Sequence, residues 1–247
     1  MTTPRTLRFV VEYDGTDFAG WQRQAGPRTV QQCLEEALEA MVGQRVLVRG
    51  AGRTDAGVHA DGQVASAVVN TAIHTTGLLR GLNSHLPPDM AVLDVADAPE
   101  GFDARRAARG KVYRYLVWNH VTRSPRWRRD AWHVRAPLDT HAMREAAAVF
   151  VGQHDFRAFR AADCERKNTV RIIRSFEVTR QGALVACEIE GTAFLKNMVR
   201  IMVGTLVAAG RGELDPDGVR ALLARGDRTR SGVTAPAHGL TLLRVIY

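Results

Sequence analysis

Two hydrophobic periods alternate along this chain in a set order, and that order limits the folds open to it. Leu7, Phe9, Val11 and Tyr13 recur at every second residue around Arg8, Val10 and Glu12, the pattern of a strand with one buried face. Tyr13-Asp14-Gly15-Thr16 predicts a turn. Val30, Cys33, Leu34, Ala37, Leu38, Met41 and Val42 then recur at helical spacing. Thr29 and Gln32 are placed for a capping box, and Gly43 stands where a C-terminal glycine belongs. Strands are predicted over 45–50 and 62–69, a short helix over 76–86 stopped by Pro87-Pro88, and a strand over 90–96. The order β-α-β-β-α-β is the split βαβ pattern.

The second half repeats that order without visible sequence similarity. A strand is predicted over 111–118, a helix over 139–151 begun by Asp139, and two strands over 170–179 and 183–190 that turn at Gln181-Gly182. Leu195, Met198, Val199, Met202, Val203, Leu206 and Val207 mark a long amphipathic helix. A Pro-started helix over 216–225 is an addition, and 240–246 is the last strand. The expectation is an α+β fold with two βαββαβ-like halves, 1–103 and 104–247. They would form a pseudo-symmetric, mainly antiparallel sheet with helices on one face and an active-site cleft between the halves.

At 247 residues the chain is long enough to bury a substantial core. It has no run of 18 apolar residues and no apolar segment at its start, so neither a membrane span nor a signal peptide is expected. Cys33, Cys164 and Cys187 show no metal-ligand spacing, and a reduced, cytoplasmic protein is the plain reading. The net charge of +8 is unevenly placed: residues 1–100 hold 8 basic and 12 acidic side chains, residues 101–247 hold 26 and 14. The halves therefore carry −4 and +12, and the basic half suits a polyanion. Only Lys111, Lys167 and Lys196 are lysines. Arginine favours bidentate phosphate contacts and stacking, although a GC-rich genome also enriches it.

The most unusual stretch runs from Gly50 to Ala60. Gly50, Ala51, Gly52, Ala56 and Gly57 surround Arg53, Thr54 and Asp55, so backbone can approach a ligand closely there. Three readings fit those residues. Asp55 can make an Asx turn in a long hairpin. It can be presented to a bound substrate. Asp55, His59 and Asp61 can also share a strand face as metal ligands, but no further cysteine or histidine cluster completes such a set. His59 alone reads as a structural hydrogen-bonder.

Gly52-Arg53-Thr54-Asp55-Ala56-Gly57-Val58-His59-Ala60, together with Tyr13-Asp14-Gly15, Gly20-Trp21-Gln22-Arg23-Gln24 and Tyr113-Arg114-Tyr115, resembles the tRNA pseudouridine synthase A family over essentially the whole chain. The resemblance implies that uridine is isomerised to pseudouridine at positions 38–40 of the tRNA anticodon arm, without a cofactor. It makes Asp55 the nucleophile and leaves three routes open: attack on the sugar, removal of a sugar proton to give a glycal, or addition to the base. Phe194-Leu195-Lys196-Asn197-Met198-Val199-Arg200 resembles the family's third motif, so Arg200 is implied to hold Asp55 ionised. Tyr113 matches the active-site tyrosine, which stacks on the uracil and accepts a proton late in the reaction. Tyr115 reads better as core. Arg53 matches the residue that fills the space of the flipped base, and Leu240 one that packs on the uracil.

Phe102-Asp103-Ala104-Arg105-Arg106 matches a family RNA-binding segment, with Arg106 a departure from its common letter. Arg105, Arg106, Arg109, Lys111, Arg114, Arg123, Arg126, Arg128, Arg129 and Arg135, interleaved with Trp127 and Trp132, form the strongest RNA-contact region. Residues 163–167 fall where another RNA contact lies, but with different letters. The family also implies a homodimer. Two competing readings remain: an RNA-remodelling protein without chemistry, and a metal-dependent phosphodiesterase using Asp55, His59 and Asp61.

Overall fold

The computed structural model describes residues 4–228 and 231–247. The fold is α+β, with mostly antiparallel strand pairing and five α-helices among the described residues. The chain divides into two compact units, one running to Arg109 and including Leu242–Tyr247, the other Gly110–Thr241.

In the first unit, β1 (Pro4–Tyr13) pairs antiparallel with both β3 (His59–Asn70) and β4 (Met90–Ala98). A two-residue strand, β2 (Arg49–Gly50), pairs with β3. The final strand, β10 (Leu240–Ile246), lies on the other side of β3; a Cβ on Gly62 would come 2.6 Å from the Leu243 carbonyl oxygen. Leu7, Phe9, Val11 and Tyr13 of β1 are all buried, as their spacing predicts. They lie in one core with Leu34 and Leu38 of α1 (Val30–Val42) and Leu78 and Leu82 of α2 (Thr75–His85). Thr29 caps α1 by accepting from the Gln32 N–H, and Gly43 closes it in the left-handed region at φ 67°. The reciprocal half of the capping box is replaced: the Gln32 amide donates to Glu36 one turn on. The expected strand over 45–50 shrinks to Arg49–Gly50, although Val46 and Val48 are buried and Leu47 exposed. Alternating burial there occurs without a hydrogen-bonded ladder.

In the second unit, β5 (Gly110–Asn119), β9 (Leu184–Gly191), β8 (Val170–Gln181) and β7 (Gly152–Asp155) pair in that order, all antiparallel. The short β6 (Trp132–Val134) runs parallel to β5. α3 (Thr140–Val149) packs on β8, on α4 (Met198–Gly210) and on α5 (Pro216–Arg225). Phe150, Phe156 and Phe159 form the aromatic centre of this core. β6 and β7 are not evident from sequence, because Gly152-Gln153-His154-Asp155 is polar and Trp132-His133-Val134 too short for a period. The helix expected to be amphipathic, α4, is instead buried on nearly every side. Only Arg200 and Ala208 within it are part-exposed.

Asp139 caps α3, accepting from His141 N and Ala142 N at 2.7 and 3.4 Å. Asp139→Ala is expected to cost about 1 kcal/mol. That corresponds to a fall in Tm of about 2–4 °C by differential scanning fluorimetry.

Candidate active site

Asp55 sits half-buried in the loop between β2 and β3, and the residues around it explain the motifs found upstream. The Tyr13 hydroxyl, at the end of β1, lies 2.8 Å from the Thr54 hydroxyl in a buried hydrogen bond. Trp21 N donates to the Thr54 carbonyl at 3.1 Å, Gly57 N to the Phe18 carbonyl at 3.3 Å, and the Gln63 amide to the Gly52 carbonyl at 2.9 Å. The loop is thus tied down on both sides of the carboxylate. Close backbone approach explains two glycines. A Cβ on Gly15 would lie 2.0 Å from the Val58 carbonyl oxygen, and Gly20, at φ 89°, would place one 2.6 Å from the Thr54 carbonyl oxygen. Tyr13-Asp14-Gly15 and Gly20-Trp21 are therefore the seat of the Asp55 loop. A register shift between Val11 and Tyr13 against β3 falls where β1 reaches that loop.

The face-sharing expectation for Asp55, His59 and Asp61 does not hold. Asp55 lies in the loop before β3, His59 is 6% exposed, and Asp61 is on the exposed side. His59 Nδ1 accepts from Gly15 N at 3.0 Å, so the imidazole serves the same loop seat as a structural hydrogen-bonder.

Burial pushes the Tyr13 phenol up to about 12, against partial relief from its hydrogen bonds to Thr54 and Gln63. Its folded-state value lies above the unfolded value of 10.0, so its contribution to stability is complete below pH 10 and is lost as pH rises towards 12. Tyr13→Phe is expected to be about 0.5–1.5 kcal/mol less stable at pH 8, from loss of one buried hydrogen bond. It should also show a shallower loss of stability than the parent protein between pH 10 and 12, measured by urea unfolding across that range.

Beside this loop the first unit holds a cavity of about 350 Å³. Arg53 lines it together with Arg105 and Arg106, so residues some fifty positions apart in sequence meet there. Gln22, from the Gly20–Gln24 motif, also lines it, as do Arg49 and Gln31, which were not apparent from sequence. Asp103, the one carboxylate in the wall, is engaged by its neighbours. Its oxygens accept from Arg49 at 3.0 Å and from the backbone N–H groups of Arg105 and Arg106 at 2.9 and 3.0 Å. Burial raises the Asp103 carboxyl, but the Arg106 N–H, the Arg49 guanidinium and the Arg105 N–H together hold it below the usual carboxylate range. Phe102 turns inward, packing on Tyr247 with ring centroids 5.5 Å apart and on a small cluster of Ala51, Val64 and Ala104. It anchors the arginine-bearing turn from behind. Glu35, 5% exposed, accepts from Arg23, Gln31 and Val48 N, and so fixes the Gln31 side of the cavity.

The second unit carries Tyr113, Arg200, Leu240 and Lys111. Tyr113, on β5, is 7% exposed and meets Phe194 edge-on with centroids 5.2 Å apart. Arg200 is the one charged residue of α4. Its Nε donates to the Ala235 carbonyl at 2.7 Å and its Nη1 to Asn197 Oδ1 at 2.9 Å, while Ala235 N donates back to the Arg200 carbonyl. Tyr115 is fully buried core, as its alternation predicts, with its hydroxyl donating to the Pro236 carbonyl at 2.8 Å. Gly239 lies against that ring, where a Cβ would come 2.5 Å from Cζ; this close contact seats the neighbouring Leu240, itself 6% exposed. Lys111 stands near the start of β5, opposite Gly191. Arg123, Arg126, Arg128 and Arg129 are exposed, with Trp127 and Trp132 half-buried among them. Cys187 is buried, which pushes its thiol up to about 12 and leaves it unreactive. No helix among the described residues is long and apolar enough to cross a membrane.

Comparison with known proteins agrees with the motifs. The sequence profile of the tRNA pseudouridine synthase family matches residues 9–105 and 146–247, so the chain belongs to that family, an isomerase acting on tRNA. Relatives named tRNA pseudouridine synthase A align along nearly the whole chain. The protein from Myxococcus xanthus is 50% identical, over 98% of this chain and 91% of its own length. Those from Pelobacter propionicus and Geotalea uraniireducens are 49% and 46% identical, each over 98% of this chain and 100% of their own length.

Proposed function

We propose that this enzyme converts uridine to pseudouridine at positions 38–40 of the tRNA anticodon arm, with Asp55 as nucleophile and without a cofactor. The observation that carries this reading is the Asp55 loop. An acidic residue is displayed from a loop whose backbone is held by Tyr13, Trp21, Phe18 and Gln63, in a chain of this family. A catalytic group gains most from such preorganisation, because small misplacements of a reacting group cost large factors in rate.

In the reaction the bond from uracil N1 to ribose C1′ breaks and a bond from C5 to C1′ forms. The C5 proton leaves, N1 gains a proton, and no electrons are transferred in or out. Asp55 acts on the sugar or the base. Tyr113 stacks on the uracil and takes up the C5 proton, with its ring steadied by Phe194. Arg200 favours the ionised form of the aspartate. Arg53 takes the place of the extruded base, and Leu240 packs against the uracil. Arg105, Arg106 and Lys111 hold the RNA, with Phe102 supporting the first two from the core. Neighbouring targets in one arm call for recognition by shape and backbone. The enzyme acts as a homodimer in the cytoplasm, a reading that fits three free thiols.

Tritium release from C5-labelled tRNA tests the chemistry. The parent enzyme should release label, and Asp55→Asn should bind the same tRNA while releasing it at least about 10³-fold more slowly. Full activity of Asp55→Asn would remove the nucleophile; release by neither protein would remove the reaction. The RNA contacts are tested separately by salt. If Arg105 and Arg106 each meet one phosphate, replacing either by alanine should reduce the slope of log K against log salt concentration by about 0.7–0.9, measured by filter binding.

A further inference from the structure

Asn197 is the only described non-glycine residue with a positive φ, at 61°. It occupies the cap position of α4, yet its side chain does not cap the helix. Its Oδ1 instead accepts from Arg200 Nη1 at 2.9 Å, one turn along. Left-handed backbone is rare outside glycine and is kept where the surroundings enforce it. Here the surroundings are visible. Ala161 N donates to the Lys196 carbonyl at 3.0 Å, and the Lys196 ammonium pairs with Asp163. Ile201 N bonds to the Asn197 carbonyl at 3.0 Å, which starts the helix immediately after the turn.

The consequence lies in where the carboxamide points. An asparagine in the ordinary extended cap conformation turns its side chain onto the N–H groups of the next turn. Asn197 gives up that bond and spends its oxygen on the guanidinium. With Ala235 fixing Nε, two acceptors set both the position and the rotation of the Arg200 plane. We propose that Asn197 is a positioning residue for Arg200, holding the guanidinium in the orientation that the isomerisation requires. This inference rests on Arg200 being catalytic.

Asn197→Gly separates the two roles of the residue, since glycine adopts the same left-handed backbone without the carboxamide. Asn197→Gly, Arg200→Ala and the parent enzyme would be compared by single-turnover tritium release, tRNA affinity and Tm. The expected result for Asn197→Gly is a fall in the chemical rate of about 10–100-fold, with tRNA affinity within twofold and Tm within about 2 °C of the parent. A rate within twofold of the parent, with Arg200→Ala nearly inactive, overturns the role of Asn197 and leaves that of Arg200 standing. Loss of affinity or of Tm in step with the rate also overturns it, because Asn197 would then be serving the fold. Full activity of Arg200→Ala refutes the catalytic arginine itself, and the inference with it.

Discussion

The buried hydrogen bond between Tyr13 and Thr54 is the contact on which the Asp55 loop depends. Ordering a loop costs about 1–2 kcal/mol per residue in backbone entropy, and a small, glycine-rich segment has few side chains of its own with which to offset it. The compensation comes from elsewhere in the first unit. Tyr13 is delivered by the end of β1, Trp21 and Phe18 by the segment that follows, and Gln63 by β3. Each tie joins loop backbone or Thr54 to an element with its own packed core. Even His59, the nearest imidazole, is spent on Gly15 N and so on the same seat. The surrounding motif letters thus hold the backbone on both sides of the carboxylate.

The second unit handles a charge in the opposite way. Arg200 stands on a helix that is buried along almost its whole length, where an unpaired guanidinium would carry a heavy desolvation cost. Ala235 and Asn197 offset that cost and restrict the side chain at once. Ala235 is itself bonded through its N–H to the Arg200 carbonyl, so the arginine and the strap that holds it form a closed pair of hydrogen bonds. Tyr115 and Gly239 stabilise the same strap from the strand side through the Pro236 carbonyl. A rigid helix and a pinned strap give the arginine less freedom than a surface residue of the same type would have.

Much of this was legible in the sequence wherever burial follows a regular period. Leu7 to Tyr13 and the α1 residues read correctly because one face of each element is buried and the other is not. The same rule misread α4, whose polar side is represented by Arg200 alone, because α3, β5 and the segment at Val233 pack against it and bury the remainder. It also overextended β2, since Val46 and Val48 are buried without ladder bonds. Among the candidate residues of the two units, Asp55, Arg53, Tyr113 and Arg200 stood out through motif resemblance. Arg49, Glu35 and Asn197 did not. The first two act through contacts distant in sequence or through the far side of a helix, and Asn197 acts through a backbone angle that no residue pattern declares.

Net charge by segment does not locate the charges. Residues 1–100 sum to −4, yet the cavity beside the Asp55 loop is ringed by Arg49 and Arg53 from that stretch, with Arg105 and Arg106 from just beyond it. Several acidic residues of that stretch lie away from the cavity, where Asp94 and Asp97 pair with Arg8 and Arg5 along the β1–β4 edge, and Asp89 with Arg28. Asp103, just beyond that stretch and in the cavity wall, is engaged where it stands by Arg49 and two backbone N–H groups. A polyanion responds to local potential over about 10 Å, the screening length near 0.1 M salt, and so to the cavity instead of the sum. The first unit therefore presents an arginine-lined cavity of its own beside the Asp55 loop, whatever the sum of charges over its length.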